Sequence, residues 1–259
     1  MQPALFISHG SPMTALMDSP ARHFLNGLAA LLPRPTAILV ASAHWETAAP
    51  TVNSVARNTT IHDFGGFPRA LYELQYNPLG APALAAELAG SLREAGFSPR
   101  IDTARGLDHG AWVPLLLAYP DADIPVLQLS LQPARGPSHH FALGAALRSS
   151  REAGVLIIGS GSFTHDLRRF RGGVALDAPE TADVTAFSTW MDVRITTADV
   201  AALLDYRRQA PHAADEHPTE EHLLPLHVAL GAAAPNFRAE RLHSSVEFGF
   251  LRMDTYAFW

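Results

Sequence analysis

The sequence predicts an α/β fold: a single domain over residues 1–259, with a largely parallel central sheet flanked by helices. Three observations carry this expectation. Short apolar runs alternate with longer amphipathic stretches from one end of the chain to the other. The short runs are continuously apolar rather than alternating, as strands buried on both faces require. Hydrophobic residues make up 47% of 259 residues, enough for a sizeable core at a length ordinary for one α/β unit.

In chain order, residues 4–8 read as the first strand and residues 20–32 as a helix, with Phe24, Leu25, Leu28, Leu31 and Leu32 on its apolar stripe. Residues 37–42 are the second strand. Residues 81–95 form a helix through Leu84, Leu88 and Leu92, closed by Gly96. A helix at 109–119, a strand at 125–131, a helix at 138–153 and a strand at 155–159 follow. Residues 181–193 and 198–208 read as a helical pair. Residues 221–233 read as a final helix, interrupted or delayed by Pro225. Gly172-Gly173 and residues 211–218 read as loops.

Composition removes several functions. A net charge of −6 argues against a nucleic-acid partner, which needs a basic face. No apolar run approaches the roughly 20 residues of a membrane span, so no membrane partner is expected. The first apolar run lacks a basic leader, and the expectation is a cytoplasmic protein. The absence of cysteine excludes disulfides, thiolate ligands and a Cys nucleophile. Any metal must therefore be held by His, Asp or Glu, and the chain carries 13 histidines, most of them expected at the surface.

Three histidines follow predicted strands. His9 lies in Ser8-His9-Gly10-Ser11-Pro12, His44 in Ser42-Ala43-His44-Trp45, and His165 after Gly159-Ser160-Gly161. In open α/β sheets ligands gather at the carboxyl ends of strands, so imidazoles delivered there point to a metal site. Gly159-x-Gly161 does not complete a dinucleotide loop, because Thr164 stands at the third glycine position. His109, in Leu107-Asp108-His109-Gly110, suits a pocket-lining loop entering a helix, and equally a capping Asp beside an incidental His. His62 sits in the compact turn Ile61-His62-Asp63-Phe64-Gly65-Gly66-Phe67-Pro68, as a structural corner or a substrate wall. His217, His222 and His227 are spaced five apart and do not share one helical face, so at most one of them is expected to bind metal. His222 stands at the start of the apolar helix, where its side chain can reach the sheet edge. His23, His139, His140, His212 and His243 read as structural or solvent-facing.

Taken in order, these motifs, with Glu221-His222-Leu223-Leu224-Pro225-Leu226, resemble the class III extradiol ring-cleavage dioxygenases. The likeness is greatest to the branch of DOPA 4,5-dioxygenases. The resemblance implies His9, His44 and His222 as metal ligands and His165 as the acid/base. It implies His109 as a pocket histidine touching substrate or oxygen. The partners it implies are a small aromatic catechol, DOPA-like and cleaved at its 4,5 bond, and O2. Fe(II) is the metal expected for activity, since zinc has no accessible redox state. Three neutral imidazoles also suit Zn(II), and Glu220 and Glu221 are carboxylates near the third position. His62, Phe64, Phe67 and Trp112 are expected at the substrate, and Arg105 and Arg135 are cations able to meet a substrate carboxylate. Asp63, Asp108 and Asp166 neighbour key histidines as candidate hydrogen-bond partners. The competing expectation is a zinc hydrolase with a three-His site and an activated water.

Overall fold

The computed structural model describes residues 1–170 and 173–259. Its strands are β1 (Ala4–Ser8), β2 (Ala37–Glu46), β3 (Thr51–Asn53), β4 (Arg100–Asp102), β5 (Val126–Leu131), β6 (Val155–Gly161), β7 (Ala239–His243), β8 (Val246–Glu247), β9 (Leu251–Arg252) and β10 (Thr255–Phe258). Eight of them form one mixed sheet in the order β4-β3-β5-β2-β6-β1-β10-β7, and β8 and β9 pair as a separate ribbon. The four apolar runs make the parallel centre, β5-β2-β6-β1. Antiparallel partners flank it: β3 against β5 on one side, β10 against β1 on the other.

Both faces of the centre are covered, which is why those runs are continuously apolar. Ala4, Phe6, Leu39, Ala41 and Ile157 enter one core, while Leu5, Ile7, Ile38, Val40, Leu156 and Ile158 enter the other. The helices are α1 (Pro20–Gly27), α2 (Arg69–Glu73), α3 (Pro82–Glu94), α4 (His109–Ala118), α5 (Gly136–Leu147), α6 (Ala182–Thr196), α7 (Val200–Leu204), α8 (Tyr206–Gln209), α9 (Ala213–Glu216) and α10 (Leu224–Ala232). The first core takes Leu143 of α5, Phe187 of α6 and Leu226 of α10. The second takes Leu25 of α1 and Trp112 and Val113 of α4.

Several elements differ from the expectation. The helix expected over 20–32 becomes 3-10 after Gly27, and that over 138–153 does so after Leu147. The stretch 198–208 breaks at Asp205 into α7 and α8. The expected loop 211–218 contains the turn of α9, entered through His212 in the left-handed region (φ 57°). Pro225 delays the last helix, as a first-turn proline does, so His222 precedes α10. Gly172 of the expected Gly172-Gly173 loop lies outside the described residues. The strand carrying His44 is longer than its apolar run. Its ladder with β5 jumps from Ala41↔Leu129 to Glu46↔Leu131, so residues 42–45 bulge and re-aim His44.

Register sets the site. Ser8 pairs with Gly161 and Ser42 with Ser160, so β1, β2 and β6 end on one line at the carboxyl edge. Two glycines of β6 bring α10 onto that edge. A Cβ on Gly159 would lie 2.0 Å from the Pro225 carbonyl oxygen, and one on Gly161 would lie 2.0 Å from that of His222. The backbone N–H of Ser162 donates to the same His222 carbonyl at 2.8 Å. Gly110, at the start of α4, closes on Ser42 and His44 from the opposite face.

Candidate metal centre and its cavity

At that edge three imidazoles converge. Nε2 of His44 lies 3.0 Å from Nε2 of His9 and 3.3 Å from Nε2 of His222. The other ring nitrogens fix the tautomers. Ser160 Oγ donates to the Gly110 carbonyl, so it accepts from Nδ1–H of His9 at 3.0 Å. Glu221 accepts from Nδ1–H of His222 at 2.9 Å. His9 and His222 therefore both present an Nε2 lone pair to His44, whose single Nε2 proton can serve only one of them. Burial, together with the neighbouring histidines, holds His9 and His222 well below the ordinary imidazole value and pushes His44 down to about 3. Protonation therefore does not relieve the crowding near neutrality. A cation does. Two imidazoles bound to one ion at roughly 2.1 Å bring their nitrogens to about 3.0–3.4 Å. The donor set fits a divalent metal held by His9, His44 and His222.

A polar network lies beneath His44. Ser42 Oγ donates to Asp108 at 2.6 Å and accepts the His44 backbone N–H at 3.2 Å. Asp108 also accepts from Gln128 Nε2 and from Arg105 at 3.0 Å. Asp108 thus holds the N-cap position of α4 without using its carboxylate as a cap. Asp63 accepts both the backbone N–H (2.9 Å) and Nδ1–H (3.0 Å) of His109, whose ring centroid lies 3.9 Å from that of His44. Burial opposes the Asp63 charge, but the His109 hydrogen bonds win and hold its carboxyl below the usual range. His165 stacks on His222, centroids 3.4 Å apart and planes at 13°. Burial pushes it down to about 4 against the opposing pull of Glu221 and Asp166.

These five histidines form the polar end of a cavity of about 390 Å³. Phe64 and Phe67 line it, as do Leu167, Phe170, Phe248, Phe250 and Leu251, with Gly10, Ser11, Pro12 and Ser162. His62 and Trp112 do not line it. The ring N–H of His62 donates to the Leu74 carbonyl at 3.1 Å, and Trp112, fully buried, donates to that of Ile61 at 2.9 Å. Both rings pack behind Phe64. Arg105 is held by Asp108 and lies over the Trp45 ring, and Arg135 lines a separate depression with His139. Glu220 accepts from the Tyr206 hydroxyl at 2.9 Å and is not part of the group formed by His9, His44 and His222.

The remaining histidines are more buried than expected, with only His23 and His212 exposed. His140, His217 and His227 are fully buried, their N–H groups satisfied by the carbonyls of Gly136, Phe163 and Leu203. The sequence reading missed Ser160 and the C-terminal wall residues. The only signal for the latter is the aromatic pair around a glycine in Phe248-Gly249-Phe250.

Three converging imidazoles, with a fourth and fifth at the same aromatic-walled cavity, are the arrangement of a metal-dependent enzyme site. The chain belongs to the family of the catalytic LigB subunit of aromatic ring-opening dioxygenase, whose model matches residues 3–251. It is 46% identical to the 4,5-DOPA dioxygenase extradiol of Beta vulgaris, over 98% of this chain and 95% of that one. It is 39% identical to the 4,5-DOPA dioxygenase extradiol of Escherichia coli, over 89% of this chain and 84% of the other. The crystal structure of an uncharacterized protein from Escherichia coli superposes with a TM-score of 0.83 at 31% identity, covering 100% of both chains. The protein is thus a metal-dependent extradiol dioxygenase of catechol-like substrates, and the hydrolase expectation gives way to ring cleavage. Among the described residues no helix is long and apolar enough to cross a membrane.

Proposed function

We propose that the protein is an Fe(II)-dependent dioxygenase that opens 3,4-dihydroxyphenyl rings, the ring type of DOPA. His9, His44 and His222 hold the metal in this reading, His165 is the acid/base, and His109 contacts the substrate. The carrying observation is the meeting of three Nε2 atoms at the end of the cavity that His109 and His165 flank. When bound, Fe(II) supplies the redox-active centre that lets triplet O2 react with a singlet ring, which zinc does not.

The protein's own part is proton handling and placement. His165 is neutral near pH 7, so it takes a proton from a catechol hydroxyl and later returns it. Its stacking on His222 fixes where that proton is received. His109 gives Nδ1–H to Asp63, which leaves Nε2 to accept a hydrogen bond from the second hydroxyl. Should His109 take that proton, the Asp63 carboxylate stabilises the imidazolium. Phe64, edge-on to His109 at 5.7 Å, walls the ring.

His165→Ala is expected to lower turnover by about 10²–10⁴-fold while retaining metal. His9→Ala and His44→Ala are expected to lose the metal itself. Metal content by elemental analysis, beside O2 uptake with a catechol, separates the two classes. Full turnover in His165→Ala would refute the acid/base assignment.

A further inference from the structure

The names of the relatives point to a substrate with an amino-acid side chain, whereas the cavity wall favours something else. Beyond the histidines, the described lining is mostly apolar, with Phe64, Phe67, Leu167, Phe170, Phe248, Phe250 and Leu251; its two other polar side chains, Ser11 and Ser162, are engaged by the Met13 N–H and the Thr164 carbonyl. No Arg or Lys is among the described lining residues. The described arginines that border them in sequence are engaged by carboxylates. Arg168 donates to Asp166 at 2.6 Å, and Arg169 is shared by Asp166, Asp183 and Glu216. Arg252 meets Glu180 and Asp254. A carboxylate brought to this wall loses its water and finds no cation among the described lining residues.

Two further features show that the wall is built to be apolar. Leu167 and Phe170 are 55% and 56% exposed, which leaves oily surface at the cavity for a ligand to cover. Phe248 adopts a left-handed backbone (φ 56°), rare and strained for a bulky residue. That turn is held by Phe248 N–H to the Leu176 carbonyl (2.8 Å) and by Thr181 N–H to that of Gly249 (3.0 Å). It sets Phe248 edge-on to Phe170, centroids 5.1 Å apart.

We infer that the substrate is a catechol whose ring substituent is uncharged and apolar, with Phe170 and Phe248 as the residues that select it. This inference rests on the reading of the site as a catechol dioxygenase. The substituent covers the exposed Phe170 ring and the half-buried Phe248 ring while the hydroxyls meet the histidines, so a zwitterionic or anionic side chain is discriminated against.

The test compares 4-propylcatechol, 3-(3,4-dihydroxyphenyl)propionate and DOPA on the Fe(II)-loaded enzyme. Initial O2 uptake gives kcat/KM, and calorimetry under nitrogen gives each affinity without turnover. Propylcatechol is expected to exceed both charged catechols by about tenfold or more on both measures. Phe170→Arg, at an exposed position, is expected to shift the kcat/KM ratio about tenfold toward the propionate. Equal or better affinity and kcat/KM for either charged catechol would overturn the inference. If none of the three consumes O2, the dioxygenase reading fails, and the affinity order still decides the side-chain preference.

Discussion

Two of the three proposed metal-binding imidazoles, those of His9 and His222, are steered by a hydrogen bond at Nδ1. Ser160 passes a hydrogen bond from His9 to the Gly110 carbonyl, and Glu221 holds His222. Ser160→Ala leaves Nδ1–H of His9 unpaired in a buried site. We expect metal affinity to fall roughly 10–100-fold, measured by competition with a chelator, with the fold intact. An unchanged affinity would show that Ser160 does not orient the ligand. His9 and His44 were legible as a metal pair from their places after apolar runs. His222 was singled out among the three C-terminal histidines by its place at the start of the apolar helix, but how closely α10 approaches β6, which sets its reach, was not legible. Phe64 lines the cavity, whereas the Trp112 and His62 rings, expected beside it, pack against Phe64 outside the lining. An aromatic that lines a cavity and one that supports it from behind carry the same sequence signal. What separates them is whether the ring N–H finds a backbone carbonyl, as both do here.

The strand β6 and the helix α10 form the joint on which the position of His222, the third proposed ligand, depends. Gly161→Ala places a Cβ against the His222 carbonyl oxygen, so strand and helix must part. We expect a loss of about 1–3 kcal/mol in a denaturant titration, together with weakened metal binding. Gly90, inside α3, is the contrasting case, since an added Cβ there meets nothing within 4 Å. Gly90→Ala should stabilise the protein by about 0.4–1 kcal/mol. The parallel strands were readable because burial on both faces makes them apolar throughout. Strands β4 and β7 were not, since their residues are largely exposed or half-exposed and show no apolar run. The bulge of β2 was invisible for a different reason: it is defined by the partner strand β5, not by residues 42–45 themselves.

For the molecule as a whole, buried neutral histidines set the response to acid. Burial holds His140 and His217 down to about 3 and His227 to about 4, each below the ordinary 6.5. Below pH 6.5 the unfolded chain binds protons that the folded one refuses. Their contribution is therefore complete above 6.5 and is lost as pH falls toward 3–4. Burial raises Glu216 to about 7 and Asp254 to about 6, which works in the opposite direction between their unfolded values and those pH values. Burial raises Glu46 and Glu247 as well, but nine histidines in all are held below their ordinary value against these four acids, and metal binding, which needs unprotonated ligands, adds to the same side. The unfolding midpoint in urea should fall from pH 7 to pH 4.5, and a flat profile would contradict the buried-neutral assignment. The fold class was legible in the strand–helix alternation, and the chemistry only once six motifs were taken in order. The most direct measurement is O2 uptake with 4-propylcatechol and with unsubstituted catechol after anaerobic Fe(II) loading, beside metal-free and Zn(II)-loaded enzyme. Uptake and a coloured ring-fission product are expected with Fe(II) alone. Uptake independent of metal, or none with any catechol, would contradict the assignment of ring cleavage to this site.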